Sequence, residues 1–97
     1  MSLSGEIFFD PKTGLENLTI WSSINNKELH TSITIYNDQK NTTSLLVHIF
    51  YNDGSYIFPV YPGNSRACSC QNITQIIVAP ESEITNNCSG KFIMEIF

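Results

Sequence analysis

Along most of the chain apolar residues recur at every second position, the period of a strand with one buried face. Residues 28–37 show it most clearly: Leu29, Thr31, Ile33 and Ile35 share one face, and His30, Ser32, Thr34 and Tyr36 the other. Residues 43–52 carry apolar side chains on both faces, with Leu45, Val47, Ile49 and Tyr51 opposing Leu46, His48 and Phe50. That pattern predicts a strand covered on both sides. Further strands are predicted over 15–23 (with Leu18, Ile20 and Trp21), 56–61, 65–71, 73–78 and 91–97, the last setting Phe92, Met94 and Ile96 against Ile93 and Phe97. No segment carries a convincing helical period.

The intervals between these runs hold turn chemistry. Asn52-Asp53-Gly54-Ser55 contains Asp-Gly, which predicts a type I′ hairpin because both central residues of that turn need positive φ. Tyr61-Pro62-Gly63-Asn64 has Pro and Gly at the central positions of a type II turn. Residues 37–41 form a polar turn, and 79–89 an irregular polar loop. Pro59 cannot donate to a ladder, so its strand is expected at an edge or a bulge. Seven or eight short strands at this spacing, without a repeat or low-complexity segment, predict an all-β fold, a small antiparallel sandwich or jelly roll.

The beginning of the chain reads differently. Residues 1–14 hold one apolar island, Ile7-Phe8-Phe9, followed by Asp10-Pro11-Lys12-Thr13-Gly14. Pro11 and Gly14 punctuate strongly. The expected organisation is an extended N-terminal tail over 1–14 and a sandwich domain over 15–97. Fully extended, such a tail reaches about 46 Å at ~3.3 Å per residue, far enough to enter a neighbouring copy. Two Phe and one Ile, fully buried there, would contribute roughly 5–8 kcal/mol before ordering costs.

Composition narrows the partners. The chain has 97 residues, room for one domain, and 14% of them are charged, against about 25% in an ordinary soluble domain. Asn, Ser and Thr supply the polarity instead, so copies repel one another weakly. The net charge is −4, Arg66 is the sole arginine and the lysines are scattered, which excludes a phosphate-backbone or anionic-membrane partner. No apolar run approaches the ~18 residues of a spanning helix. Met1-Ser2-Leu3-Ser4 has neither a basic region nor an apolar core, so no signal peptide is predicted.

The residues that could carry chemistry do not form a set. His30 and His48 sit mid-strand, with no accompanying nucleophile motif, so no catalytic residue is assigned and no cofactor is expected. Cys68, Cys70 and Cys88 are an odd count, which leaves a free or inter-chain thiol if disulfides form. Their Cys-x-Cys spacing is not that of a structural zinc site, so no metal is assigned. On one strand Cys68 and Cys70 face the same side some 6–7 Å apart, too far for an easy mutual bond. The three are read either as buried, inert thiols or as a disulfide network, in which Cys70 to Cys88 is a plausible pair that leaves Cys68 over. Glycan sequons at Asn17, Asn41, Asn72 and Asn87 are expected by chance in an Asn/Ser/Thr-rich chain. Phe50, Tyr51, Tyr56, Phe58 and Tyr61 read as core and cross-strand pairs rather than as a stacking platform for sugar or single-stranded nucleic acid.

Several motifs occur together in order. They are Thr34-Ile35-Tyr36-Asn37-Asp38, Val60-Tyr61-Pro62-Gly63-Asn64-Ser65, Asn72-Ile73-Thr74-Gln75-Ile76-Ile77-Val78 and Gly90-Lys91-Phe92-Ile93-Met94. In this order and spacing they resemble the endospore appendage pilin family of Bacillus-type spore formers, over about two-thirds of the chain. The resemblance implies an eight-stranded jelly roll that polymerises with copies of itself into a spore-surface fibre. By the same likeness, an N-terminal connector inserts into a neighbour, strand edges pair laterally, and the protein is made in the mother cell and meets fibre base or tip components. Under it, Ile7, Phe8 and Phe9 are the insert and Pro11 and Gly14 the hinge. The sequence departs from the family in having no cysteine in residues 1–14, and Ile93 stands where such members carry one in the last strand. A non-covalent connector is therefore expected, with any disulfide lying within a domain or between lateral neighbours. The rival reading is a monomeric β-sandwich binding module for carbohydrate or a protein partner.

Overall fold

The computed structural model describes residues 1–22 and 30–97. Eight strands follow in chain order: β1 (Ser2–Phe9), β2 (Leu18–Ser22), β3 (His30–Asn37), β4 (Leu45–Tyr51), β5 (Gly54–Val60), β6 (Ser65–Gln71), β7 (Ile73–Pro80) and β8 (Cys88–Ile96). They form two four-stranded sheets, ordered β1-β8-β3-β6 and β2-β7-β4-β5. All pairings are antiparallel. The all-β sandwich predicted from strand period and turn spacing is the observed fold.

The core is what the alternation requires. Ile33 and Ile35 of β3, Leu45, Val47 and Ile49 of β4, Phe58 and Val60 of β5, Ile76 and Val78 of β7 and Met94 of β8 point between the sheets and are buried. Leu29, predicted on the same face as Ile33, lies outside the described residues.

In the single chain the N-terminal segment forms an edge strand. Residues 2–9 are not a free extension in the single chain: β1 pairs with β8 from Ser2↔Glu95 to Phe9↔Cys88. Ile7 and Phe9 are 0% exposed within this chain's own core. The physical reason is that Glu6 to Phe9 alternates as a half-buried strand does, and β8 offers an edge to receive it. Short alternations are easily lost beside a Pro/Gly hinge.

Three turns refine the reading. The β4–β5 turn falls on Asn52 and Asp53, between the paired Tyr51 and Gly54. Neither turn residue has positive φ, so this is not the expected type I′ turn. The type II turn at Tyr61–Asn64 is present, with Gly63 at φ 80° and Asn64 N–H donating to the Tyr61 carbonyl at 3.0 Å. Asn72, at φ 59°, is the single residue between β6 and β7 and carries the chain from one sheet to the other.

β8 begins earlier than predicted, at Cys88 rather than residue 91. Gly90 pairs with both Ile7 and Asn37, and a Cβ there would run into the Tyr36 carbonyl. Its lack of a side chain permits the close approach of β3.

A polar clamp closes one end of the sandwich. Asn37 Nδ2 donates to the Val60 carbonyl at 2.8 Å and the Thr43 carbonyl at 3.1 Å. Asn41 Nδ2 donates to Asn37 Oδ1, and Ser89 N–H donates to Asn41 Oδ1 at 3.1 Å. The ends of β3 and β5 and the starts of β4 and β8 are joined by this network. Both Asn37 and Asn41 are buried, which takes the Asn41 sequon out of reach of a glycan.

Candidate self-association interface

An open sandwich has four edge strands, here β1 and β6 in one sheet and β2 and β5 in the other. Each presents backbone N–H and C=O groups that a further strand could pair with, unless something blocks it. β5 lies at an edge, as Pro59 predicted, and that proline offers no N–H to an added strand. β2 is only five residues long, and its register slips between Thr19 and Trp21. In β6 the Arg66 side chain lies across the open mouth between the sheets, with its guanidinium 5.0 Å from the Phe58 ring centroid. An inward-turned charge of this kind also discourages strand addition.

β1 has none of these devices. It runs eight residues in unbroken register, without Pro or bulge. Which of its backbone groups are free follows from the pairing at its start. Met1 and Ile96 exchange both hydrogen bonds, at 2.8 and 2.9 Å. In an antiparallel ladder such pairs alternate with pairs whose groups point away. Ser2, Ser4, Glu6 and Phe8 therefore turn their N–H and C=O groups to the free edge.

The faces above and below the sheets differ in charge. Outside the β1 sheet, Phe8 and Ile93 are 52% and 53% exposed, near Glu6, Lys91 and Glu95. Outside the other sheet, β4, β5 and β7 present Leu46, His48, Phe50, Ile57, Pro59, Ile77 and Ala79 with no Asp, Glu, Lys or Arg among them. His48 stacks on Phe50 with ring centroids 4.0 Å apart. The prediction that both faces of β4 are covered is thus met on one side only. The outer side chains Leu46, His48 and Phe50 stay half-buried in a single chain.

The predicted site residues are placed as follows. Ile7 and Phe9 are in the core, and Phe8 is outside on the same strand. Pro11 and Gly14 lie in the turn after β1, where Thr13 N–H donates to the Asp10 carbonyl at 3.0 Å and Gly14 has φ 72°. Cys68 and Cys70 point inward from β6, their sulfurs 3.0 Å apart. Cys88 is at the opposite end of that sheet. Thr31 pairs with both Cys70 and Ile96, and Cys88 lies eight residues back along β8, about 26 Å at ~3.3 Å per residue. The expected Cys70–Cys88 pair is therefore corrected: the register separates them.

Among the described residues, His30 meets Phe97 and Gln71, and His48 meets Phe50. The aromatic row is divided as well. Phe58 is core, the Tyr51 hydroxyl donates to Cys70, and Tyr56 and Tyr61 are exposed. Sequence reasoning missed the Asn37–Asn41 clamp and the free groups of β1. The first resembles any polar turn, and the second depends on the phase of a ladder with a partner some ninety residues away, as Met1 is from Ile96.

Comparison with known proteins gives a consistent result. The family described as endospore appendages matches residues 7–97. A solved structure described as "Bacillus endospore appendages form a novel family of disulfide-linked pili" is similar in fold, with a TM-score of 0.63 at 8% identity, covering 96% of this chain and 85% of that one. No curated protein matches the chain in sequence.

Proposed function

The chain belongs to the endospore appendage family, and from that premise we propose that it is a structural subunit of an extracellular fibre on the spore surface, made in the mother cell and assembled from copies of itself. The observation that carries the assembly mode is the unprotected edge of β1. A strand of the next copy adds to this edge through Ser2, Ser4, Glu6 and Phe8; that copy's donor edge has to be clear only over the residues that pair, as β5 is before Pro59. Such a head-to-tail contact does not close on itself unless its rotation happens to, so it builds an open filament. Fibre base or tip components would meet the terminal edges.

A second mode is favoured by the burial of Ile7 and Phe9 beside a turn. β1 is an edge strand and Pro11–Gly14 follows it, so the strand can be exchanged between copies, delivering the same two side chains to a neighbour's core. This is tail insertion in a different form, because the strand has to leave its own sheet first.

Ser4→Pro separates the modes. It removes an outward N–H and leaves the β1–β8 bonds in place. Loss of fibres in electron micrographs, with an unchanged far-UV spectrum, supports edge addition. Fibres of normal length from Ser4→Pro, abolished by deleting residues 1–9, support exchange. Fibres from both variants would contradict any role for β1. A monomeric chain that binds glycans or a protein and never polymerises would support the binding-module reading.

A further inference from the structure

Cys68 and Cys70 are separated by one residue on β6, and the spacing of alternate Cα atoms along a strand places them near the upper limit for a disulfide. Their side chains nevertheless converge, with Sγ to Sγ at 3.0 Å. The Tyr51 hydroxyl, reaching from the other sheet, donates to Cys70 Sγ at 3.4 Å. Cys70 is buried and Cys68 half-buried at the open mouth of the sandwich, so one sulfur is accessible and the other shielded behind it. Cys88, the remaining thiol, is buried at the far end of the sheet.

We propose that Cys68 and Cys70 are a redox-active dithiol, with Cys68 the attacking thiol and Cys70 the resolving one, that closes to a disulfide within β6 on meeting a low-molecular-weight disulfide. Burial holds the Cys68 thiol above its ordinary pKa, so little of it is ionised and the reaction is slow at neutral pH and faster as pH rises. The thiolate that does form attacks one sulfur of R–S–S–R, forming a mixed disulfide on Cys68 and expelling R–S⁻. Cys70, already in reach, then attacks Cys68 Sγ as its thiolate, forming the Cys68–Cys70 bond and expelling the second R–S⁻. The two thiol protons end on the two R–SH molecules, and the added disulfide is the species reduced. The Tyr51 hydroxyl, donating to Cys70 Sγ, stabilises the Cys70 thiolate that has to form before the resolving step, and the charge then passes to the departing R–S⁻. The geometry assigns both sulfurs to one copy, so oxidation here consumes them without linking neighbours. The similar solved structure is described as disulfide-linked; these two thiols would not supply such links.

The test uses the full chain, dilute and unassembled, so that its result is independent of fibre formation. The chain is incubated with oxidised glutathione, quenched in acid, alkylated in denaturant without reductant, and cleaved after glutamate. Cleavage at Glu81 and Glu83 separates Cys88 from the pair. The expected result is a Cys68–Cys70 peptide lacking two hydrogen atoms, an alkylated Cys88 peptide and no covalent dimer. Cys70→Ser should instead accumulate one glutathione on Cys68. Three alkylated cysteines, a disulfide that includes Cys88, or covalent dimers as the main product would each overturn the proposal.

Discussion

At the residue scale, the side chains that matter most are those whose polar atoms have no alternative partner. Asn37 is 0% exposed and holds two carbonyls from different elements. Asn37→Ala removes both of these bonds and takes from the buried Asn41 Nδ2 one of its acceptors, which costs about 1–3 kcal/mol. A urea titration should show a lower midpoint with an unchanged slope. Cys68 supplies a pH signature. Burial first, then its hydrogen bond with Cys70 and that neighbour's charge, push its thiol up from 9.0 to about 11, with Arg66 opposing. A folded-state pKa above the unfolded one means the contribution to stability is complete below the unfolded value and lost as pH rises through the folded value. Stability should therefore fall between pH 9.0 and about 11. Tyr51 and Cys88, both raised chiefly by burial, add with the same sign. Cys68→Ala should flatten the decline, as read from urea midpoints across that range. An equal slope in the variant would remove Cys68 from the account.

At the element scale, β1 is the strand on which stability and the proposed assembly meet. Phe9 is fully buried, so Phe9→Ala should cost roughly 3–5 kcal/mol, a large share of what a domain of this size holds. The thermal midpoint of the unassembled chain checks this. A change near zero would mean that β1 does not pack in its own sheet in solution. How far elements could be read from sequence depended on what set their limits. β3, β4 and β6 are long alternations between polar turns, and β5 announced its edge position through Pro59. The sequence predicts a tail at β1 because the alternation there, Glu6 to Phe9, is short and ends in a Pro/Gly turn. β8 extends three residues further back than the predicted start at residue 91, where Gly90 lets the backbone of β3 pass close against it. The Cys68–Cys70 approach was missed for a related reason: strand repeat fixes Cα atoms, and the convergence lies in the side chains. No local pattern reports either the phase of the β1–β8 ladder or the distance to Cys88.

At the scale of the whole molecule, low charge and open edges act together. With a net charge of −4 on 97 residues, electrostatic repulsion between copies is weak. The uncharged outer face of β4, β5 and β7 adds apolar surface that a single chain leaves half-covered. Pairing through backbone groups does not depend on ion pairs, so fibre mass in a sedimentation assay should change little between low salt and about 1 M, where the screening length is only ~3 Å. Fibres that dissolve in high salt would point to charge-mediated contacts between copies instead. The central claim is that this sandwich is built to join copies of itself. Negative-stain electron microscopy of the purified full chain tests it most directly: the account predicts long, uniform, unbranched fibres without any added ligand, and a field of monodisperse small particles at high concentration would contradict it.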